Sequence, residues 1–326
     1  MITHPLVKGV SFTGGTATGR HVAQAAAGRF IKASLELGGK NAAVVFADTL
    51  TTPFDVAATA KAVARAAFLN SGQICLCGSR ILVEDDRVEG QGGGSGGGGG
   101  YVSRYEQFVE ALLVEVESLV IGDPLDPSTD VGPLSSHAHR NRVAAYVDTA
   151  LRDEPGSAVV LCGGGRVGGD SSDVRGAYLE PTLIGGVSPT ARIATEEIFG
   201  PIATVHPFRS NDGSGGAGGS TVDGMLAAEA AALSMANKPT PYGLCATVWT
   251  KDLERAHRVG RGLQVGMVWV NTWLHRDLRT PFGGVKESGL GREGGHYSLD
   301  FFSETKNICI ALDGSRFVPP MPSKMS

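Results

Sequence analysis

Short apolar, β-prone runs alternate with helix-patterned stretches along most of this 326-residue chain, and few folds accommodate that alternation. Val7–Thr13 predicts a strand. It runs into the turn Gly14–Gly19 (GGTATG) and a small-residue helix ending near Ala27. Ile31–Leu37 and Ala42–Phe46 read as further strands. Asp55–Asn70 places Val56, Ala60, Val63, Ala64 and Ala67 on one helical face. Strand Ile81–Val83 follows, then an amphipathic helix over Ser103–Val120 with Ser103 as N-cap. His137–Arg152 repeats the helical pattern before strand Ala158–Cys162. Strand Ile202–Phe208, a helix through Met235, strand Leu244–Thr250, helix Asp252–Leu263 and strand Val265–Asn271 complete the series. Strands separated by helices imply a mainly parallel α/β sheet with crossover connections.

Two glycine-rich stretches interrupt the order, Gly90–Gly100 and Gly213–Ser220. Neither can bury enough apolar surface to offset the entropy of ordering its backbone, so both read as surface inserts. The first has no following Lys-Ser/Thr pair to hold a phosphate or metal. A formal net charge of −4 gives no basic footprint for nucleic acid. No run approaches membrane-spanning length, and the first residues lack a signal-peptide pattern. The five cysteines are scattered and odd in number, which points to a reducing, cytoplasmic setting rather than a disulfide framework. Cys75 and Cys77 have no companion Cys/His pair at ligand spacing, so no metal site is expected.

The chemistry concentrates in FLNSGQICLCGSR, Phe68–Arg80. There Cys75 sits at a helix-to-strand junction that exposes a side chain together with backbone N–H groups. A nucleophilic thiolate needs such donors for the oxyanion it creates, although a buried structural thiol fits the same stretch. Glu36 is a lone carboxylate inside the apolar run KASLELGGKN. Desolvation there would raise its pKa into the range useful to a general base, while pairing with Lys40 or solvent is the plainer alternative. The Gly14–Gly19 turn would present helix N–H groups to a phosphate, or be an ordinary tight turn.

Taken in order, FTGGTATG, LELGGKN, FLNSGQICLCGSR, EEIFGP, VWVN and PFGGVKESGLGRE resemble the aldehyde dehydrogenase superfamily over nearly all the chain outside the inserts. GQICLCGSR, TVWTKDLERAHRV and NTWLHRDLRTPFGG are similar to the branch that oxidises muconic semialdehydes. The resemblance implies a Rossmann-like catalytic domain over residues 38–285, a remnant of a dinucleotide-binding domain over 1–37, and a return segment with an oligomerisation strand over 286–326. It implies a small-molecule aldehyde as substrate and NAD, with NADP possible, as cofactor. Cys75 would be the nucleophile and Glu36 the base that hydrolyses its thioester. Gly14, Gly15 and Gly19 would lie near the cofactor phosphates, with Gly15 in place of the more usual serine. Leu37 and Gly38 would lie against the nicotinamide. Glu197 would bind the nicotinamide ribose and Phe199 would bracket the ring, where residue patterning alone makes Phe199 a core residue. Phe282 would line the aldehyde tunnel. Arg276 would read a substrate carboxylate, with a surface ion pair to Asp277 or Glu254 as its alternative.

The departures also shape the expectation. The resemblance implies an N-terminally truncated member, lacking the opening strands of the dinucleotide fold, the lysine that holds the adenosine ribose, and the Pro-Trp-Asn run that completes the oxyanion hole. The Glu36–Cys75 spacing is longer than the family's, with the extra length placed in Thr49–Phe54. The β-prone Lys306–Leu312 would pair with a sheet in another subunit, in a homo-oligomer or on a full-length relative. Three readings stay open at this point: a semialdehyde dehydrogenase, an inactive interaction subunit, and a cofactor-independent thiol esterase.

Overall fold

The computed structural model describes residues 1–89, 101–167, 176–209 and 222–310. Both glycine-rich inserts, with Ala311 and Leu312, lie outside the described residues. In chain order the elements begin with β1 (Gly9–Thr13), α1 (Thr16–Ala27), β2 (Lys32–Glu36), β3 (Ala42–Val45), α2 (Pro53–Phe68) and β4 (Arg80–Glu84). The hairpin strands β5 (Arg87–Glu89) and β6 (Tyr101–Ser103) precede α3 (Arg104–Glu117), α4 (His137–Asp153), β7 (Val159–Cys162) and β8 (Thr182–Gly185). Then come α5 (Arg192–Thr195), β9 (Ile202–Phe208), α6 (Val222–Asn237), β10 (Tyr242–Gly243), β11 (Cys245–Trp249) and α7 (Leu253–Gly262). The last are β12 (Met267–Val270), β13 (Val285–Lys286), β14 (Gly289–Leu290) and α8 (Gly295–Phe302).

Two sheets carry the architecture. The larger has seven strands in the order β12-β11-β3-β4-β9-β8-β7, parallel except where β7 runs against β8. The run Ala42–Phe46 is apolar throughout because both faces of this sheet are covered. Ala43 and Val45 face α2 and α3 with Phe108 and Leu112, whereas Ala42, Val44 and Phe46 face Ala228, Ala232 and Val259 of α6 and α7. Between the latter helices, buried Glu229 accepts from Arg255 (3.4 Å) and Arg258 (2.8 Å), which ties α6 to α7. The smaller sheet, β1-β2-β14, pairs β1 and β2 in parallel and takes β14 antiparallel from the return segment. The first 37 residues and the return segment therefore share one sheet.

Local chemistry sets the boundaries. Thr52 caps α2 by accepting the Asp55 N–H (3.1 Å), with Pro53 at the first helical position, so the helix starts two residues before the Asp55 expected from periodicity. Ser103, Ser136 and Asp252 cap α3, α4 and α7 in the same way. By contrast, α1 begins at Gly15 with no side-chain cap. The short elements β5, β6, β8, α5, β10, β13 and β14, and the helix α8, are not expected from the sequence pattern. Lys306–Ile310 forms no strand within the described residues, leaving Ile308 and Ile310 exposed. A β-prone segment becomes a strand only with a ladder partner, and no described strand of this chain pairs with it. No helix among the described residues is long and apolar enough to cross a membrane.

The sheets meet end to end. The chain leaves the carboxyl end of β2 at Glu36 and enters the amino end of β3 at Ala42, and the loops leading into β4, β9, β11 and β12 open on the same edge. That edge is closed by backbone contact. A Cβ at Gly266 would lie 1.7 Å from the Gly283 carbonyl oxygen, which no rotamer change relieves. A Cβ at Gly15 would meet nothing within 4 Å, at an ordinary φ of −69°. Gly266→Ala should therefore lower stability by about 1–3 kcal/mol or more, while Gly15→Ala stays within about 1 kcal/mol of wild type. Urea-unfolding midpoints of the two variants check this, and equal midpoints would contradict the close approach at Gly266.

Candidate active site

The loop that carries Cys75 is made by an abrupt helix stop. After Phe68, Asn70, Ser71 and Gly72 all take left-handed backbone conformations (φ 54°, 56° and 66°), which turns the chain out of α2. Gly72 is packed so that a Cβ would lie 2.2 Å from the Gly200 carbonyl oxygen, bringing this loop against the EEIFGP segment. A turn follows, closed by the Cys77 N–H donating to the Ile74 carbonyl (3.0 Å). Cys75 lies on this turn, half-buried, with Leu76 and Cys77 buried beside it. Its carbonyl accepts from Asn41 Nδ2 (2.7 Å), as does that of Cys77 (3.0 Å), and the Leu76 carbonyl accepts from Trp273 Nε1 (3.0 Å). Burial pushes the Cys75 thiol up to about 11, assisted by the Glu197 and Glu36 carboxylates. Its own backbone N–H and Arg276 act in the opposite direction.

Five residues, Leu37–Asn41, carry the chain from the small sheet to the large one. The Leu37 N–H donates to the Ser288 carbonyl (2.9 Å) and the Gly38 carbonyl accepts from Ser288 Oγ (2.6 Å). The Gly39 N–H donates to Glu197 Oε1 (3.0 Å). Gly38 leaves the room for this, since a Cβ there would lie 2.2 Å from Glu197 Oε2. On the other side, Gly19 of α1 lets Leu37 approach, as a Cβ would lie 2.4 Å from its Cδ2. Gly14 donates its N–H to the Glu36 carbonyl (3.0 Å) and lies against the Phe12 ring.

Glu36 ends β2, only 5 % exposed, and both its carboxylate oxygens are buried without a hydrogen-bond partner. Burial first, then the neighbouring Glu293, raises it from 4.5 to about 7, while Arg292 and Arg276 pull it down. Lys40 does not pair with it. The Lys40 side chain is fully buried, its Nζ makes no hydrogen bond, and burial beside Arg80 lowers it to about 7. Glu197 is raised by burial and held down by the Gly39 N–H and by Lys40.

The structure thus gathers Cys75, Glu36, Leu37, Gly38, Gly19 and Glu197 around one loop. Phe199 is not core: its ring is 41 % exposed at positive φ (56°), and its carbonyl accepts from His139 Nε2 (2.7 Å). Gly15 faces open space. Arg276 and Phe282 stack on each other, with the guanidinium 4.2 Å from the ring centre. Neither expected ion-pair partner engages Arg276, since Asp277 binds Arg279 (2.9 Å) and Glu254 binds Arg258 (3.4 Å). The stack separates two cavities, about 460 Å³ beside Ser34, Arg292 and Glu293 and about 240 Å³ beside Trp269 and His275. Cys75 and Glu36 line neither. They abut the intervening segment, Cys75 within the apolar cluster that holds Phe282, and Glu36 Oε1 only 2.8 Å from where a Gly283 Cβ would lie. Asn41, Trp273, Ser288 and Glu293 do not stand out in the sequence. Their partners are remote in the chain, and only the GGKN, NTW, KES and GRE motifs mark their neighbourhoods. No group of three or more metal-binding side chains occurs among the described residues.

The sequence profile of the aldehyde dehydrogenase family matches residues 1–90 and 101–308. The chain is 42 % identical over 311 residues to a 2-aminomuconic 6-semialdehyde dehydrogenase of Pseudomonas sp, covering 95 % of this chain and 54 % of that protein. It is 41 % identical over 309 residues to the 2-hydroxymuconic semialdehyde dehydrogenase of Pseudomonas sp. strain CF600, with the same coverage. Among solved structures it resembles HpcC from Thermus thermophilus (TM-score 0.78, 38 % identity, 98 % of this chain and 54 % of that one). It also resembles betaine aldehyde dehydrogenase from Staphylococcus aureus in complex with NAD+ (TM-score 0.74, 33 % identity, 92 % and 50 %). The chain therefore spans about half the length of the relatives it matches. By motif, fold and match along its length, it belongs to the aldehyde dehydrogenase family.

Proposed function

We propose that this chain carries the chemical half of an NAD(P)-dependent aldehyde dehydrogenase that oxidises a carboxylate-bearing, muconic-type semialdehyde. The observation that carries the reading is the Leu37–Asn41 loop. It starts from Glu36, takes Glu197 on its Gly39 N–H, and holds the Cys75 carbonyl through Asn41. Nucleophile, base and ribose-binding carboxylate then answer to one piece of backbone. The proteins named above as semialdehyde dehydrogenases and the neighbour bound to NAD+ support the same reading.

Cys75 Sγ attacks the aldehyde carbon and its proton passes to Glu36, forming the thiohemiacetal. This transfer removes the carboxylate charge that opposes the thiolate, so the two titrations are coupled. The Cys75 N–H, which donates to no other residue among those described, is available to the oxyanion. Glu197, Phe199, Leu37, Gly38 and the Gly14–Gly19 turn would hold a nicotinamide dinucleotide. When bound, it supplies a hydride acceptor. Gly38 leaves room for the Glu197 carboxylate, and the uncapped start of α1 leaves N–H groups for phosphate oxygens, so these residues fit the group. With that acceptor bound, Cys75 would come to carry the acyl group as a thioester. Glu36, after releasing the thiol proton to solvent, would take a proton from the water that attacks the thioester, freeing the acid and the Cys75 thiol. Cys75 and Glu36 alone suffice for ester hydrolysis through the same acyl-enzyme. Both are present here, which favours a thiol-esterase activity as the second reading.

Purified chain mixed with NAD and a muconic-type semialdehyde should form reduced nicotinamide, and Cys75→Ala should abolish both this and ester hydrolysis. Turnover that survives Cys75→Ala defeats the assignment of the nucleophile; ester turnover alone leaves the second reading. Glu36→Gln should slow deacylation by about 10²–10⁴-fold and leave the acyl-enzyme to accumulate, visible as a mass increase on the Cys75 peptide.

Glu36 also fixes a pH dependence of stability. Its folded-state value, about 7, lies above 4.5, so the folded chain holds the proton more tightly and stability falls as pH rises from about 4.5 through 7. Glu36→Gln should then match wild type below pH 4.5 and exceed it above pH 7, by on the order of 1–3 kcal/mol. Thermal unfolding across pH reads this directly.

Arg276→Ala should raise KM about ten- to a hundred-fold for a carboxylate-bearing aldehyde and leave an uncharged aldehyde nearly unaffected. Equal effects on both substrates would remove carboxylate recognition from this residue.

A further inference from the structure

Asn41 is 4 % exposed, and its side-chain amide is fully engaged with three backbone groups. Nδ2 donates to the Cys75 carbonyl (2.7 Å) and the Cys77 carbonyl (3.0 Å), and Oδ1 accepts the Cys245 N–H (3.2 Å). Two carbonyls on one side and an N–H on the other fix the amide's orientation, since the reverse would set oxygen against oxygen. Its own backbone carbonyl accepts the Arg80 N–H (3.1 Å), which sets the residue at the start of β3 beside β4.

The consequence falls on the nucleophile's backbone. A peptide plane has its carbonyl on one edge and the next residue's N–H on the other, so holding one aims both. The Ile74 carbonyl, bound by the Cys77 N–H (3.0 Å), sets the plane that carries the Cys75 N–H. Asn41 sets the next plane through the Cys75 carbonyl, and Trp273 the one after through Leu76 (3.0 Å). The Cys75 Cα lies between two planes that are both held, so the direction of its Cα–Cβ bond is fixed before any substrate arrives. Gly39 keeps this arrangement open: a Cβ there would lie 2.7 Å from the Cys75 carbonyl oxygen and 2.8 Å from Asn41 Oδ1.

We propose that Asn41 is a positioning residue for the reaction at Cys75, holding the sulfur and its oxyanion-binding N–H in line by clamping the carbonyls of the Ile74–Cys77 turn. The proposal rests on the reading of Cys75 as nucleophile. Without the clamp, two buried carbonyls lose their donor and can swing their negative ends toward the sulfur, which opposes thiolate formation.

The test follows alkylation of Cys75 by iodoacetamide against pH, read by mass spectrometry of the Cys75 peptide, with the exposed Cys309 in the same molecule as reference. In Asn41→Ala the midpoint for Cys75 should rise by about one unit, roughly a tenfold slower reaction at about pH 8, with Cys309 unchanged. Asn41→Ser, which keeps one donor, should recover part of the shift and serves as the measured variant if the alanine form does not fold. Where acyl transfer is measured, kcat should fall about a hundred-fold with KM changed less than about threefold. A purely structural role would lower the unfolding temperature and leave the midpoint where it was. An unmoved or lowered midpoint in the folded variant overturns the proposal. Absence of wild-type turnover with any aldehyde or ester counts against the proposed function instead, because alkylation reads Cys75 directly.

Discussion

A chain that must cross from one sheet to another within five residues has little room for side chains, and the Leu37–Asn41 crossing shows what that constraint selects. Gly38 and Gly39 are there for space rather than for unusual backbone angles: one admits the Glu197 carboxylate and the other the Cys75 carbonyl. The residues with bulk point elsewhere. Leu37 goes under α1 against Gly19, and Lys40 and Asn41 go into the large sheet. Because Glu197 and Ser288 bond to this backbone and the Cys75 carbonyl to the Asn41 side chain, displacing the crossing would move Cys75, Glu36 and Glu197 together.

The same junction collects charge that burial disfavours. Glu36 has no hydrogen-bond partner for either oxygen and Lys40 none for its ammonium, and the two do not neutralise each other. Their protonation preferences oppose. Glu36 costs stability as pH rises past 4.5, whereas Lys40, depressed from 10.5 to about 7, costs stability as pH falls through the interval between those values. Near neutrality both lie close to their folded-state values, so each is partly neutral in the folded chain and both costs are largely present there. A fold selected for stability alone would place apolar residues at both positions. Perturbed groups of this kind cluster at functional sites, which agrees with the reading proposed for Cys75 and Glu36.

Much of this was legible in the sequence, for identifiable reasons. The parallel strands were readable because a sheet covered on both faces makes runs such as Ala42–Phe46 uniformly apolar. Helices with Ser103 or Asp252 at their start announced their own boundaries. What escaped were elements too short for a period, α5 and β8 among them, and the small pairings of β13 and β14. Cys75 and Glu36 stood out as chemical oddities in apolar context. Asn41 did not, because an asparagine between a lysine and a strand looks like a turn residue. Its meaning lies in contacts with Cys75, 34 positions away, and Cys245, 204 positions away. Glu293 was hidden in the same way, acting on Glu36 only through the return of the chain.

Arg276 links substrate recognition to the chemistry behind it. Its guanidinium lies on the Phe282 ring, unclaimed by Asp277 or Glu254, and its charge is felt by both Cys75 and Glu36, lowering each. If Arg276 binds the carboxylate of the substrate, as proposed, its field at the two catalytic groups is largely cancelled in the complex. Both groups then hold protons more tightly: Glu36 becomes a stronger base toward water, while the Cys75 thiol is harder to ionise. An uncharged aldehyde leaves the field in place. Selectivity for a carboxylate at this position therefore has two sources, attraction at the guanidinium and a change in basicity at Glu36, and the second acts on the rate rather than on binding.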